Sequence, residues 1–337
     1  MKKLSSMVVA VCFLVLAILA FSSVNVSSAA TVTLKMGHDV APTHPWHQGA
    51  LRLAELVNKK TNGEVKIEVF PSSQLGDLRE LMELTQTSSI DFNMNTSGVA
   101  ASFIPDMNLL NLPFLFNDRD QLKKFYESPL ARKILDSGEK NRIKGFAFHT
   151  YVFRGPMNNK RTIKSAEDFK GLKIRLMQVP IHMDTYKALG SSPVAIPFSE
   201  LYTAAQMGTV DGFENSAVTL YHQKLYEVGK YYSTLPVFAY TNVILGSMKT
   251  WNEKLNESQR KAFLESLPEA VAMINKGSDE GEEVGLKKFR DSGVQVNTGP
   301  FELKPFREAM KPVYDKWAAG LSKDAQDILK DLQKQWK

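Results

Sequence analysis

Apolar and polar positions alternate with period two over residues 31–36, 64–70 and 172–177, and recur at helical spacing between and after these runs. Gly37-His38-Asp39 closes the first strand, and His44-Pro45-Trp46-His47 opens a helix whose apolar face is Leu51, Leu53, Ala54, Leu56 and Val57. Asn62-Gly63 ends that helix, and Pro71 stops the second strand. Strand, helix and strand in this order predict a parallel sheet. Asp77 is placed to cap a helix with the stripe Leu78, Leu81, Met82, Leu84 and Thr85, and a short strand over 89–95 follows. The plan then repeats. A helix from Phe198-Ser199, with Leu201, Ala204, Ala205 and Met207 inside, leads into a strand over 208–213. The two stretches read as one unit used once in each of two lobes.

Residues 103–116 are apolar and proline-punctuated, as in a buried connection under the first lobe, and 120–133 and 133–138 read as two helices. A strand over 143–153 is expected to cross to the second lobe, and 231–246 to return as a second crossing strand. Asn256 caps a long helix of about 256–290 carrying Ala262, Phe263, Leu267, Val271, Ile274, Val284, Leu286 and Phe289, which Pro268 should kink or split. A short strand over 293–296 follows, and an amphipathic helix from 304 onward turns Phe306, Met310, Val313, Trp317, Leu321, Ile328 and Leu332 inward. The fold class is therefore α/β, with two mixed sheets flanked by helices. Lobe I takes 31–150 and 242–280, lobe II takes 151–241 and 290–337, and the long helix bridges them. Two lobes joined by hinge strands leave a cleft that suits a small molecule and closes by rotation.

Composition adds a compartment. Lys2 and Lys3, an apolar run over 7–21 and the small residues Ser27-Ser28-Ala29-Ala30 read as a cleavable signal peptide over 1–30, hence a periplasmic protein. The only cysteine, Cys12, lies inside that run, so the mature chain forms no disulfide. Cleavage leaves 40 basic and 36 acidic side chains, a formal charge of +4, without a basic block suited to nucleic acid. His44 and His47 stand three apart beside His38, a spacing zinc can use. Only Asp39 is near enough to add a ligand, however, and Pro45 disturbs helical presentation, so no metal is expected. There is no phosphate-binding glycine loop, no G-x-S-x-G elbow and no cysteine nucleophile, so no enzyme activity and no cofactor is expected.

One arginine is singled out by its position. Gly171 breaks the local structure, the strand 172–177 follows, and Arg175 sits near its C-terminal end, where α/β sheets bind ligands. A guanidinium there matches a carboxylate with two parallel hydrogen bonds. Asp168-Phe-Lys-Gly-Leu-Lys-Ile-Arg175 together with Val210-Asp-Gly-Phe-Glu-Asn215 resembles the paired signature of the DctP-type solute receptors of tripartite ATP-independent periplasmic (TRAP) transporters, over nearly the whole mature chain.

The resemblance implies a two-lobed, periplasmic-binding-protein-like fold (type II-like) and a receptor that captures a small organic acid. Its substrate-binding residues carry over as Arg175 on the carboxylate, Arg154 at the end of the crossing strand, Asn215 on the ligand and Phe198 against its apolar side. Asp39 and Thr96 match ligand-facing positions of the first lobe, and Gln178 and Phe213 complete the candidate set, Phe213 facing either the cleft or the core. The partners implied are the small and large TRAP membrane subunits, which move substrate on an ion gradient. Two features depart from the family's usual pattern. Phe213 and Ser216 stand where it often has Gln and Pro, and Gly155-Pro156 follows Arg154 in place of a polar pair. A similar two-lobed receptor serving an ATP-driven importer or a sensor is the alternative.

Overall fold

The computed structural model describes residues 31–336, so the leader expected over 1–30 lies outside the described residues. Strand β1 (Val32–Gly37) pairs in parallel with β2 (Val65–Phe70) across helix α1 (Pro45–Lys60). The helix starts where it does because the His44 ring accepts the Trp46 N–H and Pro45 takes a first-turn position whose N–H has no helical partner anyway. Asp77 and Glu80 form a capping box at the start of α2 (Leu78–Gln86), which leads into β3 (Phe92–Thr96), parallel to β1. Helices α3 (Ser97–Ala100), α4 (Arg119–Tyr126) and α5 (Pro129–Asp136) bring the chain to β4 (Ile143–His149).

The chain then builds a second sheet from β5 (Phe153–Asn158), β6 (Lys173–Leu176), α6 (Pro180–Ala188), β7 (Ser192–Ala195), α7 (Leu201–Gln206), β8 (Gly212–Asn215), α8 (Ala217–His222), β9 (Tyr231–Ser233) and β10 (Phe238–Ala239). It returns as β11 (Asn242–Ser247), which lies between β3 and β4 and antiparallel to both. Helix α9 (Glu257–Asp291), β12 (Gln295–Asn297), α10 (Leu303–Ala309), α11 (Lys311–Ala318) and α12 (Lys323–Gln333) complete it. The first sheet has the order β2-β1-β3-β11-β4, and the second β12-β9-β5-β8-β6-β7 with β10 on β5. Both mix parallel and antiparallel pairs, in line with the expected fold class of two mixed sheets.

Each sheet has its own core. Trp46, Leu53, Phe92, Met94 and Phe263 fill the space between the first sheet, α1 and α9. Met157, Leu201, Phe213, Tyr232 and Phe289 do the same on the second. A third cluster joins the 103–116 segment to α6 and the C-terminal helices through Phe114, Tyr186, Phe238, Phe306 and Tyr314.

Four expectations are corrected. The crossing strand 143–153 is two strands, because Thr150 turns into the left-handed region (φ 71°) between β4 of one sheet and β5 of the other. The freed Thr150 N–H is taken by Asn275 Oδ1 of α9, at 2.6 Å. The return over 231–246 likewise divides into β9, β10 and β11. Pro268 leaves α9 in one piece over 35 residues. The carbonyl that a helical N–H at 268 would have bonded belongs to Leu264, on the solvent-facing side of α9. The segment from 304 onward is three helices, with Pro312 in the first turn of α11 and Ser322 capping α12.

The repeated unit is present in hydrogen-bond detail. Asp91 accepts the Lys35 N–H and Asp211 the Lys173 N–H, each at 2.8 Å, so each β-strand entry is tied to the neighbouring strand in the same way. Asn95 and Asn215 each accept the N–H of the following residue, and Thr96 and Ser216 then cap the short helices α3 and α8. The two units run β1-α1-β2-α2-β3-α3 and β6-α6-β7-α7-β8-α8, with proline in the first turn of both α1 and α6.

Candidate functional site

The two repeats end against one cavity between the sheets. Asp39, after β1, and Thr96, at the end of β3, line it from the first sheet. Arg154 of β5, Arg175 of β6, Gln178, Phe198 and Asn215 line it from the second. Phe213 is fully buried in the second sheet's core and does not reach it, which closes the choice left open for that residue. The strand alternation explains this: on β8, Phe213 points to the helix-covered side while Glu214 turns the other way.

Arg175 is 1% exposed. Its Nε donates to the Ile196 carbonyl at 2.8 Å, its guanidinium carbon lies 5.6 Å from the Phe198 ring centre, and its Nη1 is buried with no hydrogen-bond partner. Burial lowers its pKa to about 10; Glu214 and Asp39 oppose that, while Arg154 adds to it. An unpaired donor on a buried cation is expensive unless something completes it.

Arg154 is different. Its Nε and Nη2 hold Glu214 Oε2 and Oε1 at 2.5 and 2.8 Å, Nη2 also donates to the Glu214 carbonyl at 3.2 Å, and its guanidinium lies 4.8 Å from the Tyr240 ring centre. Burial pushes its pKa down, but the Glu214 charge and hydrogen bonds outweigh that and the net direction is up. Both members of this pair are buried, at 2% and 0% exposure.

Asn215 has its Oδ1 taken by the Ser216 N–H, which leaves the amide Nδ2 to serve the cavity. Thr96 Oγ1 accepts the Val99 N–H and lies 3.9 Å from Met177 Sδ, a contact between the two sheets. Asp39 is 8% exposed and no side chain hydrogen-bonds it. Burial pushes its carboxyl up to about 7, against its own backbone N–H, Arg175 and Arg154, which pull it down, and with a smaller push from Asp77.

Sequence reasoning missed Glu214, Tyr240 and Asp77 as parts of this cavity's wall or frame. Glu214 lay inside the motif already singled out, but nothing in the chain ties it to an arginine 60 positions earlier. The three early histidines do not converge. His38 Nε2 and His47 Nδ1 are 3.1 Å apart, while His44 turns away to Thr219 Oγ1 at 3.2 Å. Among the described residues no group of three or more His, Cys, Asp or Glu is placed to hold a metal ion, and no helix is long and apolar enough to cross a membrane.

Comparison with known proteins gives the same picture. The family model DctP, "Bacterial extracellular solute-binding protein, family 7", matches residues 36–331. The chain is 29% identical to the 2,3-diketo-L-gulonate-binding periplasmic protein of Escherichia coli, over 91% of this chain and 93% of that one. A TRAP periplasmic solute-binding protein from Polaromonas, solved with D-erythronate bound, is 30% identical with a TM-score of 0.85, covering 90% of this chain and 98% of that one. Its counterpart from Shewanella oneidensis, solved with bound succinate, is 29% identical with a TM-score of 0.85, covering 90% and 99%.

Proposed function

The chain belongs to family 7 of the bacterial extracellular solute-binding proteins, the DctP family, and from that premise we propose that it captures a small organic acid for a TRAP transporter. The observation that carries this reading is the buried, unpartnered Nη1 of Arg175 on the wall of the cavity between the sheets. A carboxylate there gains a charge-assisted hydrogen bond and removes the penalty of the orphaned donor.

In the proposed mechanism Arg175 takes the carboxylate, Asn215 Nδ2 and the free edge of Arg154 add donors, and Phe198 covers the apolar side. Asp39, Thr96 and Gln178 complete the ligand's surroundings. Lobe I (31–150 and 242–280) and lobe II (151–241 and 290–337) close over the ligand, with α9 bridging them. Contacts from both lobes to one molecule favour the closed form, so binding shifts the population toward it. The closed receptor is recognised by the small and large membrane subunits, in the periplasm, after removal of residues 1–30. The protein binds and releases its ligand unchanged.

The test is a thermal-shift screen of ligand-free protein against organic acids and their neutral amides. An acid at about a hundred times its dissociation constant stabilises by roughly 2.7 kcal/mol, and its amide does not. If no acid raises the melting temperature of protein shown ligand-free by mass spectrometry, carboxylate capture is wrong.

A further inference from the structure

Family membership does not choose the acid, since relatives of nearly equal similarity were solved with erythronate, a hydroxylated monoacid, and with succinate, a dicarboxylate. The wall of this cavity does. We propose, resting on the receptor reading above, that the ligand is a hydroxylated monocarboxylate whose hydroxyls meet Asp39, and that Asp39 is the residue that turns away dicarboxylates of the same length.

The basic side offers less than its two arginines suggest. Arg154 is engaged by Glu214 through Nε and Nη2, which leaves one edge of its guanidinium to share a carboxylate with the buried, unpartnered Nη1 of Arg175 on the same side of the cavity. That is provision for one carboxylate. The other wall is acidic: Asp39 and Asp77 both line the cavity from the first sheet. Asp77 already accepts the Arg79 and Glu80 N–H groups at the start of α2, whereas Asp39 has no side-chain partner. The one cation on that wall, Arg79, is half exposed and turned to Glu83 at 3.2 Å. A second carboxylate would therefore face Asp39 with only Arg79, already held by Glu83, to offset it. A hydroxyl can donate to Asp39 when it is ionised and accept from it when it is not.

The electrostatics agree with the geometry. Burial pushes Asp39 up to about 7 although Arg175 and Arg154 pull it down. The site already holds this charge at a disadvantage, and another anion beside it makes that worse. The titratable and charged groups around Asp39 are Asp77 and Arg79 at the start of α2, Arg154 from β5, Arg175 from β6, and Tyr240. On the first-sheet side the one cation is Arg79, and it is held by Glu83.

Matched pairs of acids isolate the effect. Erythronate and meso-tartrate, galactonate and galactarate, and gluconate and glucarate each differ only at the last carbon, hydroxymethyl in one and carboxylate in the other. Binding is measured by calorimetry at pH 8, where Asp39 is ionised. The tightest monoacid should bind at least about tenfold better than its diacid, since facing like charges are strongly penalised in a desolvated site. Asp39→Asn should narrow that gap to within about threefold by improving the diacid. A diacid that binds wild-type protein as well as its monoacid overturns the proposal, and so does a gap that Asp39→Asn leaves intact. If Asp39→Asn does not fold, wild-type protein decides alone. The diacid should weaken from pH 6 to pH 8 while the monoacid holds steady, and a diacid affinity flat across that range overturns the proposal. An acid without hydroxyls as the best ligand defeats this inference but leaves the receptor reading standing. Binding of no acid at all defeats both.

Discussion

At the scale of single residues, the two cavity arginines should part company when removed. Arg175→Ala is expected to lower affinity for the carboxylate ligand by at least about 100-fold, the loss of a desolvated charge-assisted contact. The melting of the empty protein should move little, because the side chain lost was itself incompletely paired. Arg154→Ala leaves Glu214 buried at 0% exposure without its cation, and should destabilise the empty protein by about 3–5 kcal/mol. Calorimetric melting and titration of both variants check this, and equal melting temperatures for the two would contradict it. Asp39 gives a pH signature. Its folded pKa of about 7 lies above the ordinary 3.8, so the folded chain binds the proton more tightly. The stability linked to that proton is present below 3.8 and is lost as pH rises through about 7. Empty wild-type protein should therefore lose on the order of 2–4 kcal/mol against Asp39→Asn between pH 5 and pH 8. A difference that stays constant with pH would rule out a buried acid. Arg175 was readable from its place at a strand end, and Asp39 and Thr96 from their motif positions. Glu214 was not, because a bidentate pair across two strands leaves no local trace in either. Phe213 was undecidable until the register of β8 fixed which face it occupies.

At the scale of elements, helix α9 is fitted to its neighbours by glycines. A Cβ on Gly285 would stand 2.7 Å from the Ala217 carbonyl oxygen, and one on Gly281 2.4 Å from Val218 Cγ2. On the other side of the same helix, a Cβ on Gly49 of α1 would stand 2.1 Å from Ile274 Cγ1. Glu282, buried on α9, accepts the Val218 N–H at the start of α8. Helix α8 begins two residues after Asn215, so its position sets where that amide points. Gly285→Ala meets backbone that cannot turn aside, and should destabilise by about 1–3 kcal/mol and weaken ligand binding with it. Gly320→Ala, whose nearest neighbour would be 3.8 Å away, should change neither. Unaltered affinity in Gly285→Ala would detach α9 from the site. Hydrophobic periodicity exposed β1, α1, β2, α2 and α9 and the helix-to-strand part of the repeated unit, but it did not mark α6 or β7. It could not show the break at Thr150, which depends on one left-handed residue, or the tolerance of Pro268, which depends on which side of α9 meets water.

At the scale of the whole molecule, the two sheets are joined by the links at 150–152 and 240–241, by α9, by the third apolar cluster, which takes in Leu78 and Met82 of α2 and Ile174 and Leu176 of β6, and by side-chain contacts. His44 meets Thr219 at 3.2 Å, His222 meets Thr43 at 3.1 Å, and Thr96 meets Met177 at 3.9 Å. Polar contacts of this kind can be exchanged for solvent when nothing occupies the cavity. Small-angle scattering should therefore show a smaller radius of gyration when the cognate acid is added to ligand-free protein. No contraction is expected with the amide or with Arg175→Ala. The same radius with and without a ligand shown to bind would refute closure.

The vacant donor of Arg175 also has a practical consequence. A buried guanidinium nitrogen without a hydrogen-bond partner is a trap for whatever anion is at hand. Acetate, citrate or formate from a buffer will compete for it, and every affinity measured in their presence will read too weak. Protein taken from living cells should arrive already loaded. Mass spectrometry of the small molecules released when such a preparation is unfolded is then the shortest route to the natural ligand, read from the receptor's own cargo.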